Sequence, residues 1–152
     1  MAFVLDASIT ACWAFEDEDH PDASLAFVQI RTEEAVVPCL WWFEVRNILV
    51  VNERRRRIAE SDTAVFLLNL ARLRIRLDRI PDEGAVLRLA RTHRLSVYDA
   101  AYLELAQREG LPLATLDTDL QKAAASEGVV LLSRGDAEVR EHSRPDPQPT
   151  GK

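Results

Sequence analysis

Cysteine is scarce in this chain, with only Cys12 and Cys39 among 152 residues. Far apart and lacking a second pair, they exclude a four-ligand zinc site and a CxxC redox motif. Both are expected to be buried free thiols in a reducing compartment. No apolar run approaches the length of a membrane span, because charges interrupt every candidate. No basic stretch precedes the first apolar residues, so the start is not a secretory signal, and a strand beginning almost at once suggests a native start. These absences together predict a cytoplasmic protein with no membrane contact. There is no internal repeat and no glycine-rich phosphate loop. Histidine is limited to His20, His93 and His142. The first lies in an acidic loop, the second near a helix C-terminus where it is favoured anyway, and the third in the tail. No serine or cysteine has the local setting of an activated nucleophile. The net charge of −6 argues against a protein that coats nucleic acid generally.

What remains is an ordinary globular composition, 47% hydrophobic and 29% charged, with the length of one domain. Strands and helices alternate. Residues 2–5 read as a buried strand, followed by a helix that Asp6 or Ser8 would cap. Pro21 opens a helix toward Arg31, and residues 35–37 form a strand stopped by Pro38. Residues 40–56 read as a long helix, with Leu40, Ile48 and Val51 flanking Glu44 and with Trp42 and Leu49 opposite. Being apolar nearly all round, it is either deeply buried or part of an association surface. Ser61 is expected to cap the next helix. A strand over 77–80 and helices over 83–93 and 97–109 follow, the last ended by Gly110. A strand over 112–116, a helix over 120–126 closed by Gly128 and a strand over 129–132 complete the pattern. This alternation predicts a parallel sheet covered by helices, with ligands outside the carboxyl ends of the strands. From residue 133 the chain is polar and proline-rich and reads as a disordered tail.

Four acids stand where acids are costly. Asp6 and Asp117 end apolar runs, Glu44 interrupts Leu40-Trp41-Trp42-Phe43, and Asp99 opens an apolar helix. A carboxylate removed from water needs a cation or several hydrogen bonds, and four together repel. A hard divalent cation held by carboxylate oxygens answers both demands. Each acid also fits a local role. Asp6 and Asp117 suit helix caps, Asp99 completes a capping box with Ser96, and Glu44 has Arg46 as a nominal partner. Capping does not explain Glu44, and it leaves a second carboxylate oxygen free. Ser8, Thr115 and Asn47 are placed to support the acids, or to make turn and backbone hydrogen bonds. Asp119 is expected to cap the helix that starts at Leu120. Arg54, Arg55, Arg56 and Arg57 form a basic edge suited either to a phosphate backbone or to solvent.

The blocks Val4-Leu5-Asp6-Ala7-Ser8, Phe43-Glu44-Val45-Arg46-Asn47, Ser96-Val97-Tyr98-Asp99-Ala100-Ala101-Tyr102 and Leu113-Ala114-Thr115-Leu116-Asp117 resemble, in order and spacing, the PIN-domain nucleases. Size and the early first block are most similar to the VapC toxins of toxin–antitoxin pairs. The resemblance covers residues 2–132. It implies a PIN-like α/β three-layer fold, with a central, mostly parallel sheet covered by helices and a nuclease domain over 1–132. It also implies an endoribonuclease using Mg²⁺, or Mn²⁺ in its place. Asp6, Glu44, Asp99 and Asp117 would be the acidic cluster, with Asp6, Asp99 and Asp117 nearest the metal and Ser8 and Thr115 supporting. A homodimer and a cognate antitoxin are the implied partners, and RNA the substrate. The alternative is a catalytically silent PIN-like interaction module, for which the Trp41-Trp42 helix would serve as an interface. A phospho-acceptor receiver domain fits worse. It wants adjacent acids after the first strand and a lysine near the last, whereas the lysines here are Lys122 and Lys152.

Overall fold

A computed structural model describes residues 1–133. The expected tail, apart from Ser133, and with it His142, lies outside the described residues. Among those described, β1 (Phe3–Leu5), β2 (Ala35–Val37), β3 (Ile75–Leu77) and β4 (Leu113–Ala114) form one sheet in the order β3-β2-β1-β4. Every pairing is parallel, with Phe3 opposite Ala35, Val4 opposite Leu113 and Val36 opposite Arg76. Successive side chains on a strand point to opposite faces, yet all six residues of β1 and β2 are fully buried. Both faces are therefore covered, as a parallel sheet requires.

The covering elements are α1 (Ala7–Cys12), α2 (Pro21–Gln29), α3 (Leu40–Arg54), α4 (Glu60–Leu70), α5 (Glu83–His93), α6 (Val97–Glu109) and α7 (Thr118–Ser126). The most enclosed is α6, buried without a break from Ala100 to Ala106 against α5, α7, β1 and β4. Gly110 ends it at φ 64°, a left-handed turn that a residue with a Cβ adopts only under strain. In α3 the buried stripe is Trp41, Val45, Leu49 and Asn52. Trp42, Phe43 and Val50 are exposed, so Leu49 is buried while Trp42, two turns earlier on the same side of the wheel, is not. Trp41 donates from Nε1 to Thr10 Oγ1 at 3.0 Å, which pins α3 to α1 one turn before Glu44.

Several expected boundaries shift. The third strand lies at Ile75–Leu77, where Ile75, Arg76 and Leu77 pair with β2, and not at 77–80; Asp78 N still bonds Val37 O. The final strand reduces to one bridge, Leu131 with Leu113, because only Leu113 N→Val130 O and Leu132 N→Leu113 O tie this segment to the sheet edge. Ser61 is not a cap. The N-cap position is Ala59, whose amide donates to Asp62 Oδ2 at 2.9 Å. Cys12 is buried as expected, but Cys39, at the N-cap position of α3, is exposed.

Candidate active site

The carboxyl edge of the sheet collects the chemistry. Asp6 follows β1 directly and occupies the N-cap position of α1, but its side chain does not cap that helix. Oδ2 instead accepts from Ser8 Oγ at 2.7 Å and from Thr115 Oγ1 at 2.6 Å, across the junction between β1 and β4. The backbone explains this proximity, since Asp6 N donates to Ala114 O at 3.0 Å. Ser8 Oγ in turn accepts from Leu116 N, and Thr115 Oγ1 from Asp117 N, both at 3.1 Å. The two hydroxyls thus lock the turns after β1 and β4 together and aim Asp6 between them.

Asp117 is the N-cap of α7 and accepts from Leu120 N through Oδ1 at 2.8 Å. Asp119, expected in that role, lies inside the first turn. Asp99 sits in the first turn of α6, its amide donating to Ser96 Oγ at 3.0 Å. Glu44, in the second turn of α3, is half-buried and accepts from Tyr102 OH through Oε1 at 2.7 Å. Glu44 and Asp117 each commit one named oxygen to a positioning hydrogen bond, and the other oxygen of each has no such partner among the described residues; Asp6 Oδ2 takes two hydroxyls, and the Ala7 amide also favours its charge.

The electrostatics show that these acids share a field. Burial pushes the Asp6 carboxyl above its ordinary value; the Thr115 and Ser8 hydroxyls pull it back and Asp117 pushes it further. Burial also raises Glu44, opposed by Tyr102 and reinforced by Asp6 and Asp99. Asp99 is raised by burial, then by Asp117 and Asp6. The mutual repulsion links side chains drawn from α3, α6 and the ends of β1 and β4.

Among the described residues, no lysine, arginine or histidine forms an ion pair with any of these four acids. Glu104, the one other acid as buried as Asp6 among the described residues, provides the contrast. It is 2% exposed, and Arg108 Nε bonds its Oε1 at 2.7 Å while Asp82 N approaches at 3.3 Å. Here the fold neutralises a structural acid with an arginine one turn away. It supplies no such cation to the acids at the sheet edge. Among the described residues no three acid, histidine or cysteine side chains already close a metal cage. The donor set still fits Mg²⁺, which takes oxygen ligands, needs only one or two carboxylates and keeps several waters.

The other expected supporting residues are further from this arrangement. Asn47 is exposed, one turn along α3 from Glu44. Arg54, Arg55 and Arg56 are exposed, whereas Arg57 is engaged: it bonds Asn52 at 2.8 Å and Asp17 and Glu18 at 3.1 and 3.2 Å, and stacks on Phe15. Arg46 stacks over Trp42 at 4.0 Å and does not pair with Glu44. Sequence reasoning missed Tyr102 and Glu104. The signal for Tyr102 was present, since a tyrosine three residues after Asp99 on a buried helix face must find an acceptor for its hydroxyl.

An all-parallel α/β sheet with four acids converging from separate elements at its carboxyl edge defines the class. Residues 3–126 match the PIN domain, and the chain belongs to that family. Ribonuclease VapC3 of Pyrobaculum aerophilum is 33% identical over 124 residues, which cover 79% of this chain and 92% of that protein. The fold is similar to the crystal structure of PAE2754 from Pyrobaculum aerophilum, with a TM-score of 0.69 at 21% identity over 95% of this chain and 97% of the other. Mycobacterium tuberculosis VapC20, described as a sarcin–ricin loop cleaving toxin, aligns with a TM-score of 0.54 at 13% identity over 80% and 94% of the two chains. FitAcB from Neisseria gonorrhoeae aligns with a TM-score of 0.52 at 17% identity over 88% and 97%.

Proposed function

We propose that this chain is a metal-dependent endoribonuclease, the toxin of a toxin–antitoxin pair, with its nuclease domain over residues 1–132. The observation that carries this reading is the contrast between Glu104, which has its arginine, and the acids of the sheet edge, which have no cation among the described residues. The relationship to a VapC ribonuclease supports it independently.

Asp6, Asp99 and Asp117 would hold the ion, Asp117 through the oxygen that does not cap α7. Mg²⁺, or Mn²⁺ in its place, supplies Lewis-acid polarisation of a phosphoryl oxygen and a more acidic water for phosphodiester hydrolysis. Ser8 and Thr115 orient Asp6, and Asp117 stays fixed by capping α7. Glu44 would hold the ion through a water or orient the attacking one. A site of negative charge would otherwise repel RNA, and the same ion offsets that repulsion. The protein acts in the cytoplasm, and no helix among the described residues is long and apolar enough to cross a membrane. The outward Trp42, Phe43 and Val50 of α3 suit contact with a second subunit or an antitoxin.

The test is Mn²⁺ titration followed by electron paramagnetic resonance, with RNA cleavage measured on the same preparations. Wild type should bind and cleave. Asp99→Asn should remain folded and lose at least about 100-fold in cleavage, since changes to groups behind the ligands already cost about 10–100-fold. A folded, antitoxin-free wild type that binds no Mn²⁺ would favour the silent interaction module.

A further inference from the structure

We propose that Tyr102 is a positioning residue that sets where the Glu44 carboxylate stands, so that α6 governs two acids of the site at once. The inference rests on the nuclease reading above and assigns a role to a residue outside the acid cluster. Backbone position largely determines the other three acids. Asp6 and Asp117 stand at N-cap positions, Asp6 directly after β1 and Asp117 in the turn after β4, and Asp99 lies in the first turn of α6. Glu44 differs, lying further along α3 at the end of a longer side chain with several rotamers. Tyr102 OH is the group that restrains it, donating to Oε1 at 2.7 Å.

The restraint is one-sided by construction. Tyr102 is 0% exposed within the core cluster, where an unpaired hydroxyl is costly. Glu44 turning away would therefore take from the hydroxyl the acceptor to which it donates. Among the described residues only Oε1 is taken, which leaves Oε2 for a water or an ion. Tyr102 follows Asp99 by three residues on α6, which places both on neighbouring parts of one helix face. A shift of α6 would move Asp99 and the Glu44 tether together.

The experiment is a double-mutant cycle of Tyr102→Phe and Glu44→Ala, reading Mn²⁺ affinity, kcat and KM for an RNA that wild type cleaves, and melting temperature. Tyr102→Phe should lower kcat by about 10–100-fold, in the range seen when groups that orient ligands are removed. KM should stay within about twofold, because RNA binding is not what the tether serves. On the Glu44→Ala background the same change should cost nothing further in kcat, since the group it positions is gone. A purely structural tyrosine would give equal losses on both backgrounds, and that additivity overturns the proposal. So does Tyr102→Phe cleaving at the wild-type rate. If Tyr102→Phe fails to fold, a second measurement keeps the question open to refutation. The chain has two tyrosines, so Tyr98→Phe protein grown with 3-fluorotyrosine has a single ¹⁹F resonance, at Tyr102. That resonance should shift saturably with Mg²⁺; no shift in a protein shown to bind Mn²⁺ overturns the proposal. A wild type that neither binds Mn²⁺ nor cleaves RNA sinks the nuclease reading and this inference with it, and so separates the two failures.

Discussion

Asp6 is a carboxylate that the metal-free fold holds at a cost. It is 5% exposed, burial raises its proton affinity, and two hydroxyls satisfy one oxygen without supplying positive charge. Asparagine has the same shape, and its side-chain oxygen accepts the same two hydroxyls. Asp6→Asn should therefore stabilise the metal-free protein by about 1 kcal/mol, of the order seen when a site strained for function is relaxed. The same variant should lose the rise in melting temperature that Mg²⁺ gives wild type. Differential scanning calorimetry with chelator and with Mg²⁺ measures both effects, and a lower melting temperature in chelator would show that the Asp6 charge is compensated after all. Cys12 is the opposite kind of buried group. Burial and Glu18 push its thiol to about 11, so it stays protonated and unreactive at neutral pH.

At the level of elements, α3 begins with Glu44 in its second turn and ends in a run of arginines whose members do different work. Arg57 closes the helix end onto the acidic loop through Asp17, Glu18 and the Phe15 ring. Arg54, Arg55 and Arg56 are left outward, with Arg56 at φ 57° where the chain turns. Replacing Arg54, Arg55 and Arg56 with serine should weaken RNA binding with little change in melting temperature. It should flatten the slope of log affinity against log salt by up to about 2, at about 0.7 per phosphate contact on a single strand. Arg57→Ser should instead lower the melting temperature and leave the salt slope nearly unchanged. Fluorescence anisotropy across a salt series, paired with thermal melts, separates the two roles. An unaltered slope in the triple variant would assign the basic edge to a protein partner.

Across the whole molecule, acidity acts in opposite directions at the two ends of the sheet. Asp6, Glu44 and Asp99 have folded values above the ordinary 3.8 or 4.5. A raised carboxyl binds more protons folded than unfolded, so its contribution is fully present below the unfolded value and is lost as pH rises through the folded one. Glu127 is held below its ordinary value, first by His93 Nε2 at 2.7 Å and then by Gln107 and Arg88, in a clasp joining α5, α6 and the end of α7. Its contribution is present above the unfolded value and is lost as pH falls through the folded one. The metal-free protein should therefore lose stability as pH climbs from the ordinary carboxylate range through the raised values of the site. On the proposed function Mg²⁺ would bind the ionised acids, so the gap between melting curves with and without it should be near zero in acid and widen over that window. Melting curves taken in parallel from acid to neutral pH test this, and a gap independent of pH would place the ion elsewhere.

The sequence by itself determined that a parallel, helix-covered sheet forms and which acids are anomalous, because both follow from local pattern. Short β-branched and leucine-rich runs beside helical periods specify a parallel sheet, and an acid inside an apolar stretch is conspicuous wherever it later lies. The bounds of α6 were legible in its caps, Ser96 at the start and Gly110 at the end. Local pattern was silent on matters that depend on contacts between distant residues. The strand expected over 129–132 keeps a single bridge because only its neighbours at the sheet edge decide how far pairing extends. Glu104 and Glu44 are both acids in apolar helices, yet one meets Arg108 and the other meets Tyr102, 58 residues away along the chain. Spacing alone reveals the first partnership, since it lies within one helix turn. The second exists only because the tertiary fold brings α6 within reach of the Glu44 side chain on α3, and that placement separates an acid paired in the core from one held at the sheet edge.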